Sequence, residues 1–149
     1  MDNYYAVKER VYYAHARTEV LDLLPPQTRS LLDVGCGEGA TAAVARARGV
    51  RRTVGIELFE EAAAQARPHF DVLLVGDVET LVSELPDEQF DAILCADVLE
   101  HLVDPWAVLT ALRPHLAPEG HLVASLPNLQ YYRILFKIMR DRFEYESSG

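Results

Sequence analysis

Cysteine is scarce: Cys36 and Cys95 are the only two in 149 residues. Two are too few for a disulfide framework, so the fold must rest on an apolar core. Both lie in apolar segments and read as small core residues. Positive charge is also short. Fourteen Lys and Arg face 23 Asp and Glu, a formal net charge of −9. That disfavours non-specific binding to nucleic acid, where phosphate contacts need cations, and it disfavours anionic membrane surfaces. The densest basic cluster, Arg46, Arg48, Arg51 and Arg52, reads as solvated surface. No apolar run reaches the roughly 18 residues that suggest a membrane span. The opening stretch, MDNYYAVKER, has no apolar signal core. His15, His69, His115 and His121 are scattered, which points to no metal site. The expectation is a cytoplasmic protein with no nucleic-acid and no membrane partner.

What is present suits one domain over 1–149. Half of the residues are hydrophobic, enough to build a core of ordinary size. Short runs rich in Val, Ile and Leu occur at 30–35, 52–57, 71–75, 90–96 and 121–126. Continuous apolar runs of that length suit strands buried on both faces, as in parallel sheets. Helical patterns alternate with them. Segment 4–24 has a 3.6-residue apolar period through Val11, Ala14, Thr18 and Leu21 and stops at Pro25-Pro26. Segment 39–48 ends at Gly49, a suitable residue just past a helix. Segment 59–67 has Glu60 and Glu61 in its first turn, where the helix dipole favours them, and stops at Pro68. Segment 78–84 is a short helix. Segment 104–116 opens with a capping Asp104 and Pro105, and Pro114 ends its last turn. Segment 129–143 is amphipathic. The alternation predicts an α/β, doubly wound, Rossmann-like and mostly parallel sheet. In such sheets ligands bind beyond the carboxyl ends of the strands.

The first strand runs into a glycine loop, LLDVGCGEGA, residues 31–40. A P-loop is excluded, because Ala40-Thr41 follow the last glycine where Lys and Ser/Thr are required. Gly35, Gly37 and Ala40 do satisfy the dinucleotide pattern, and Glu57 lies about 20 residues on, where a ribose-binding acid belongs. Asp33 and Glu38 weigh against a pyrophosphate, which prefers uncompensated backbone N–H groups. They suit a positively charged group instead. Glu57 can accept hydrogen bonds from a ribose diol, and Asp77 from an adenine amino group. An adenosine with a cationic, phosphate-free 5′ end fits this set, and S-adenosylmethionine is such a molecule.

Several segments, in order over about residues 29–128, carry a resemblance to the class I S-adenosylmethionine-dependent methyltransferases of small-molecule type. LLDVGCGEG resembles their first motif, VGIEL their ribose motif and GDVE their adenine motif. FDAILCADVLEHLVDP resembles the fourth-strand motif, and HLVASLPN the fifth strand with the substrate-side loop. The resemblance implies that Gly35, Cys36, Gly37 and Gly39 form the loop under the methionine part, with Asp33 near its amino group. It places Glu57 on the ribose, Leu58 on the adenine face, and Asp77 and Val78 on the adenine edge. Ala96, Asp97 and Val98 would line the sulfonium end. His101 would face the substrate and is the candidate catalytic base. In a plainer reading Asp97 and Glu100 only stabilise the loop and helix start. One of Tyr4, Tyr5, Tyr12 and Tyr13 is a candidate to touch the cofactor from an N-terminal helix.

The resemblance implies in-line methyl transfer to a small-molecule acceptor, with S-adenosylhomocysteine as product. Relatives that methylate base or glutamine nitrogens carry Asn/Asp-Pro-Pro-aromatic after the fourth strand, whereas this chain has ADVLEH. A hydroxyl oxygen is therefore the first choice of acceptor atom. The alternatives are a non-catalytic cofactor-binding module and an NAD-dependent oxidoreductase. A complete sheet of this family has seven strands. The expectation is a C-terminally truncated chain with five, whose fifth-strand edge pairs with a second copy or is covered by 129–143.

Overall fold

The runs at 30–34, 52–57 and 90–96 form strands because both of their faces find apolar cover, whereas those at 72–75 and 116–125 are only partly covered. The structure, a computed structural model, describes residues 16–128. Its strands are β1 (Ser30–Val34), β2 (Arg52–Glu57), β3 (Val72–Val75), β4 (Phe90–Ala96) and β5 (Leu116–Ser125). They form one sheet in the order β3-β2-β1-β4-β5, with every pairing parallel. The helices are α1 (Thr18–Leu21), α2 (Ala40–Ala47), α3 (Glu60–Ala66), α4 (Val78–Leu81) and α5 (Pro105–Leu112). This is the doubly wound sheet expected from the alternation.

Adjacent residues of the central strand β1 serve opposite faces. Leu31 joins Val20 and Leu21 of α1, Ala45 of α2, and Ala92 and Leu94 of β4. Leu32 joins Val54, Ile56 and Ile93 of the sheet with Val78 of α4 and Val108 and Leu112 of α5. The order of β1 and its neighbours reverses between β2 and β4, so a crevice opens at their carboxyl ends.

Four sequence expectations change. The helix expected over 4–24 is broken within the described residues: Ala16 and Arg17 are not helical, and α1 covers only Thr18–Leu21. The cause is a competing partner, since the Arg17 N–H donates to Thr41 Oγ1 at 3.0 Å. β5 begins at Leu116 rather than 121, entering through a register irregularity opposite Phe90 and Ala92. The added stretch contains Pro118 and Gly120, and a strand at the sheet edge tolerates proline. The helix expected over 104–116 stops at Leu112, and Pro114 sits in a 3₁₀ turn, Arg113–His115. Segment 78–84 divides into α4 and a 3₁₀ turn, Val82–Glu84. Among the described residues no strand pairs with the outer edge of β5. Residues 4–15, with the four tyrosines, and segment 129–143 lie outside the described residues. No helix among the described residues is long and apolar enough to cross a membrane.

Gly39 precedes α2 with φ +82°. A Cβ there would meet the backbone Cα of Ala66 in α3 at 3.1 Å and the His69 ring at 3.2 Å. Its lack of a side chain lets α2 and α3 pack against each other. Gly39→Ala is expected to lower the unfolding free energy by about 1–3 kcal/mol through backbone strain alone, with the close contact adding to it. Urea unfolding followed by circular dichroism measures this.

Candidate functional site

A cleft of about 680 Å³ lies at the carboxyl ends of β1, β2 and β4. Its floor is built by the loop that leaves β1. The Gly35 and Cys36 N–H groups both donate to the Ile56 carbonyl of β2, at 2.8 and 3.1 Å. This folds the loop over the tip of β2. Gly35 has φ +70°, and a Cβ there would meet Val98 Cγ2 at 3.1 Å. The loop therefore approaches the β4 turn as closely as a glycine allows.

Glu57, the last residue of β2, holds the same loop from inside. Its Oε2 accepts from the Gly37 N–H at 2.8 Å, and its Oε1 accepts from the Phe59 N–H at 3.0 Å. The residue is only 3% exposed. Each oxygen can accept a further hydrogen bond. Beside it Asp33 is 2% exposed, and among the described residues its Oδ2 has no hydrogen-bond partner. Burial, and then the Glu57 carboxylate, push the Asp33 acid up to about 7. A buried carboxyl without a partner is costly, and a hydrogen-bond donor brought in by a ligand would relieve it.

The opposite wall comes from β4 and the N-terminal segment. Asp97 follows β4 with φ +54°. Its N–H donates to Ser125 Oγ at 3.0 Å, and the Ser125 hydroxyl donates to Asp97 Oδ1 at 2.7 Å. The Arg17 guanidinium forms an ion pair with the Asp97 carboxylate. Leu58 and Phe59 stand half-exposed on the cleft, at 55% and 53%. Cys36 lines it too, but burial and the Asp33 and Glu57 charges push its thiol up. Burial pushes Cys95 up to about 12. Neither is a reactive thiolate.

Of the residues expected from the sequence, Asp33, Gly35, Cys36, Gly37, Glu57, Leu58, Ala96, Asp97, Val98 and His101 line this cleft. Gly39, Asp77 and Val78 do not. Gly39 packs against α3, Val78 is buried in the core, and Asp77 caps α4 by accepting from the Glu79 N–H at 2.9 Å. Glu38 is not in the lining either; it accepts from Gln65 Nε2 at 3.4 Å. The sequence reading missed Arg17, Thr41 and Phe59, which do line the cleft. Among the described residues no three His, Cys, Asp or Glu side chains are grouped to hold a metal.

Three carboxylates and one guanidinium thus share a glycine-floored cleft. A family model for a methyltransferase domain matches residues 5–147. The chain belongs to this methyltransferase family. The ubiquinone biosynthesis O-methyltransferase of Alkalilimnicola ehrlichii is 36% identical over 119 residues, covering 74% of this chain and 47% of that protein. The enzyme of the same name from Neisseria meningitidis is 31% identical over 106 residues, covering 67% and 44%. This methyltransferase chain spans about half the length of the curated relatives it matches. Among solved structures, S-adenosylmethionine-bound CalS10, an amino pentose methyltransferase from Micromonospora echinaspora, is 31% identical with a TM-score of 0.57, covering 83% of this chain and 49% of that one. A methyltransferase from Archaeoglobus fulgidus shares the fold at 21% identity, with a TM-score of 0.68, covering 93% and 62%. A solved S-adenosylmethionine-dependent methyltransferase from Mesorhizobium loti is 25% identical with a TM-score of 0.63, covering 72% of this chain and 51% of that one, and S-adenosylmethionine is the cofactor of the family.

The raised pKa of Asp33 has a defined consequence for stability. The folded state keeps its proton up to about pH 7, whereas the unfolded chain releases it near 3.8. The folded state therefore binds more protons in that window, and unfolding free energy falls as pH rises through it. Asp33→Asn is expected to remove this loss. Its stability relative to the native chain should be greater at pH 8 than at pH 5, as measured by urea unfolding at both. An unchanged difference would contradict the buried, protonated Asp33.

Proposed function

We propose that the chain binds S-adenosylmethionine in this cleft and transfers its methyl group to a small-molecule hydroxyl. The observation that carries the reading is the buried Asp33 Oδ2, without a hydrogen-bond partner among the described residues, beside Glu57 in the cleft lining. The cleft holds acceptors for an ammonium and for ribose hydroxyls, one guanidinium for a carboxylate, and no cationic cradle for phosphates. A dinucleotide would bring two phosphates against Asp33, Glu57 and Asp97. The NAD reading therefore has the electrostatics of the cleft against it.

In this reading Glu57 accepts the ribose hydroxyls while it still braces Gly37 and Phe59. Leu58 packs on the adenine face. Asp33 and Asp97 take the ammonium end, and Arg17 takes the carboxylate. Ala96 and Val98 wall the reacting end, and His101 holds or accepts the acceptor proton. When bound, the cofactor supplies an already activated sulfonium methyl, so this chain's residues act chiefly by positioning and by excluding water. The hydroxyl acceptor is supported by the named O-methyltransferase relatives and by ADVLEH at the end of β4. Gly39, Asp77 and Val78 would contribute from behind the lining, by packing and by capping α4. A non-catalytic binding module that uses the same cleft is the second reading. For the outer edge of β5 we propose pairing with a second copy, which sedimentation velocity would show as a dimer.

Calorimetric titration with S-adenosylhomocysteine, compared with NAD, tests the cofactor. The first should bind and the second should not. Glu57→Ala should weaken S-adenosylhomocysteine binding by about tenfold or more, the scale of one charged hydrogen bond. Binding of NAD alone would sink the proposal. Transfer of labelled methyl to a catechol separates enzyme from module. If turnover is seen, His101→Ala should lower kcat about 100-fold, the scale of a lost general base, with cofactor affinity unchanged.

A further inference from the structure

We propose that Ser125, the last residue of β5, is a positioning residue that aims the Asp97 carboxylate at the amino-acid end of the cofactor. The inference rests on the cofactor reading of the cleft given above. Asp97 is the one non-glycine residue among those described with a positive φ, at +54°. That region is disfavoured for residues with a Cβ and persists only when the surroundings hold it. Ser125 supplies the hold. Its Oγ accepts the Asp97 N–H at 3.0 Å, and its hydroxyl proton goes to Asp97 Oδ1 at 2.7 Å. The Asp97 N–H also reaches the Ser125 carbonyl at 3.3 Å. One hydroxyl therefore ties down both the backbone and the carboxylate of Asp97.

The arrangement depends on the sheet. Ala96 of β4 stands in register with Ser125 of β5, so the tip of the edge strand delivers the hydroxyl beside the β4 turn. Ser125 is not part of the cleft lining and acts through Asp97, which is. The guanidinium of Arg17 pairs with Asp97 Oδ2. Arg17 Nη2 also donates to Ser125 Oγ at 3.4 Å, so hydroxyl, carboxylate and guanidinium form one connected set in which Ser125 holds Oδ1 while the arginine pairs with Oδ2. Removing the hydroxyl frees Oδ1 to follow Arg17 and removes the side-chain support of the left-handed backbone. Both changes withdraw the acceptor from the ammonium. Neither touches Glu57 or Leu58, which face the nucleoside.

Titration of the full chain with two ligands separates this from a structural role. S-adenosylhomocysteine carries the amino-acid end; 5′-methylthioadenosine has the same nucleoside and thioether without it. Ser125→Ala is expected to weaken S-adenosylhomocysteine about tenfold, the scale of a hydrogen bond to a charged group, and to leave 5′-methylthioadenosine unchanged. Ser125→Thr keeps the hydroxyl and should restore most of the loss. Equal weakening of both ligands would mean that Ser125 only supports the fold, and would overturn the proposal. So would no change with either ligand, or a threonine variant as weak as the alanine one. If the native chain binds neither ligand, the cofactor reading fails first and this proposal fails with it.

Discussion

The Glu57 carboxylate is the constraint around which the site is arranged. It accepts one backbone N–H from the glycine loop and one from the turn into α3. Charged hydrogen bonds of this kind contribute about 1.5–3 kcal/mol each, which is what makes burial of the acid tolerable. The two bonds fix the loop after β1 relative to the tip of β2, so the floor of the cleft is set before a ligand arrives. The same charge acts on its neighbour. It stands beside Asp33 and, with burial, keeps that acid protonated well above its ordinary range. Glu57 thus sets the loop geometry and adds to the burial that chiefly keeps the proton on Asp33.

The charges that an entering ligand meets are those of the cleft lining rather than the overall charge. A net charge of −9 is spread over the surface, and salt screens such charges beyond about 8 Å at physiological ionic strength. Glu57 is buried and escapes that screening, so its charge stands against a phosphate entering the cleft, while Asp33 beside it is a neutral, protonated carboxyl up to about pH 7. Glu38 does not contribute to the cleft, because its side chain accepts from Gln65. Asp97 takes its place, from the far side of the sheet's switch point.

The strands were legible because their signal is local. Burial on both faces demands consecutive apolar residues, and Leu31-Leu32 or Ile93-Leu94 satisfy two cores at once. The loop glycines were legible too, but their reasons were not. Gly35 and Gly39 both lack a Cβ for the sake of a close approach; one admits Val98 at the cleft and the other admits α3. A sequence motif registers the need for glycine without saying what comes near it. Asp77 shows the same ambiguity, since an acid before a short helix serves as a cap or as a ligand contact equally well. Arg17 and Ser125 were invisible for a different reason. Their partner Asp97 lies 80 and 28 residues away along the chain, and nothing in the local composition of TEVL or HLVASLPN announces the pairing.

The placement of Asp97 explains why the edge strand matters to a site it does not line. β1, β2 and β4 supply the cleft, and each is flanked by strands on both sides. β5 is flanked by β4 alone among the described strands. Yet the left-handed residue at the β4 tip needs a partner from beyond the strand, and only β5 is in register to supply it. A four-stranded sheet would carry the same cleft residues with the Asp97 side chain held by Arg17 alone. The fifth strand thus converts a strained turn into a fixed acceptor. Its length, from Leu116 to Ser125, gives that tip an anchor of pairing along the whole of β4.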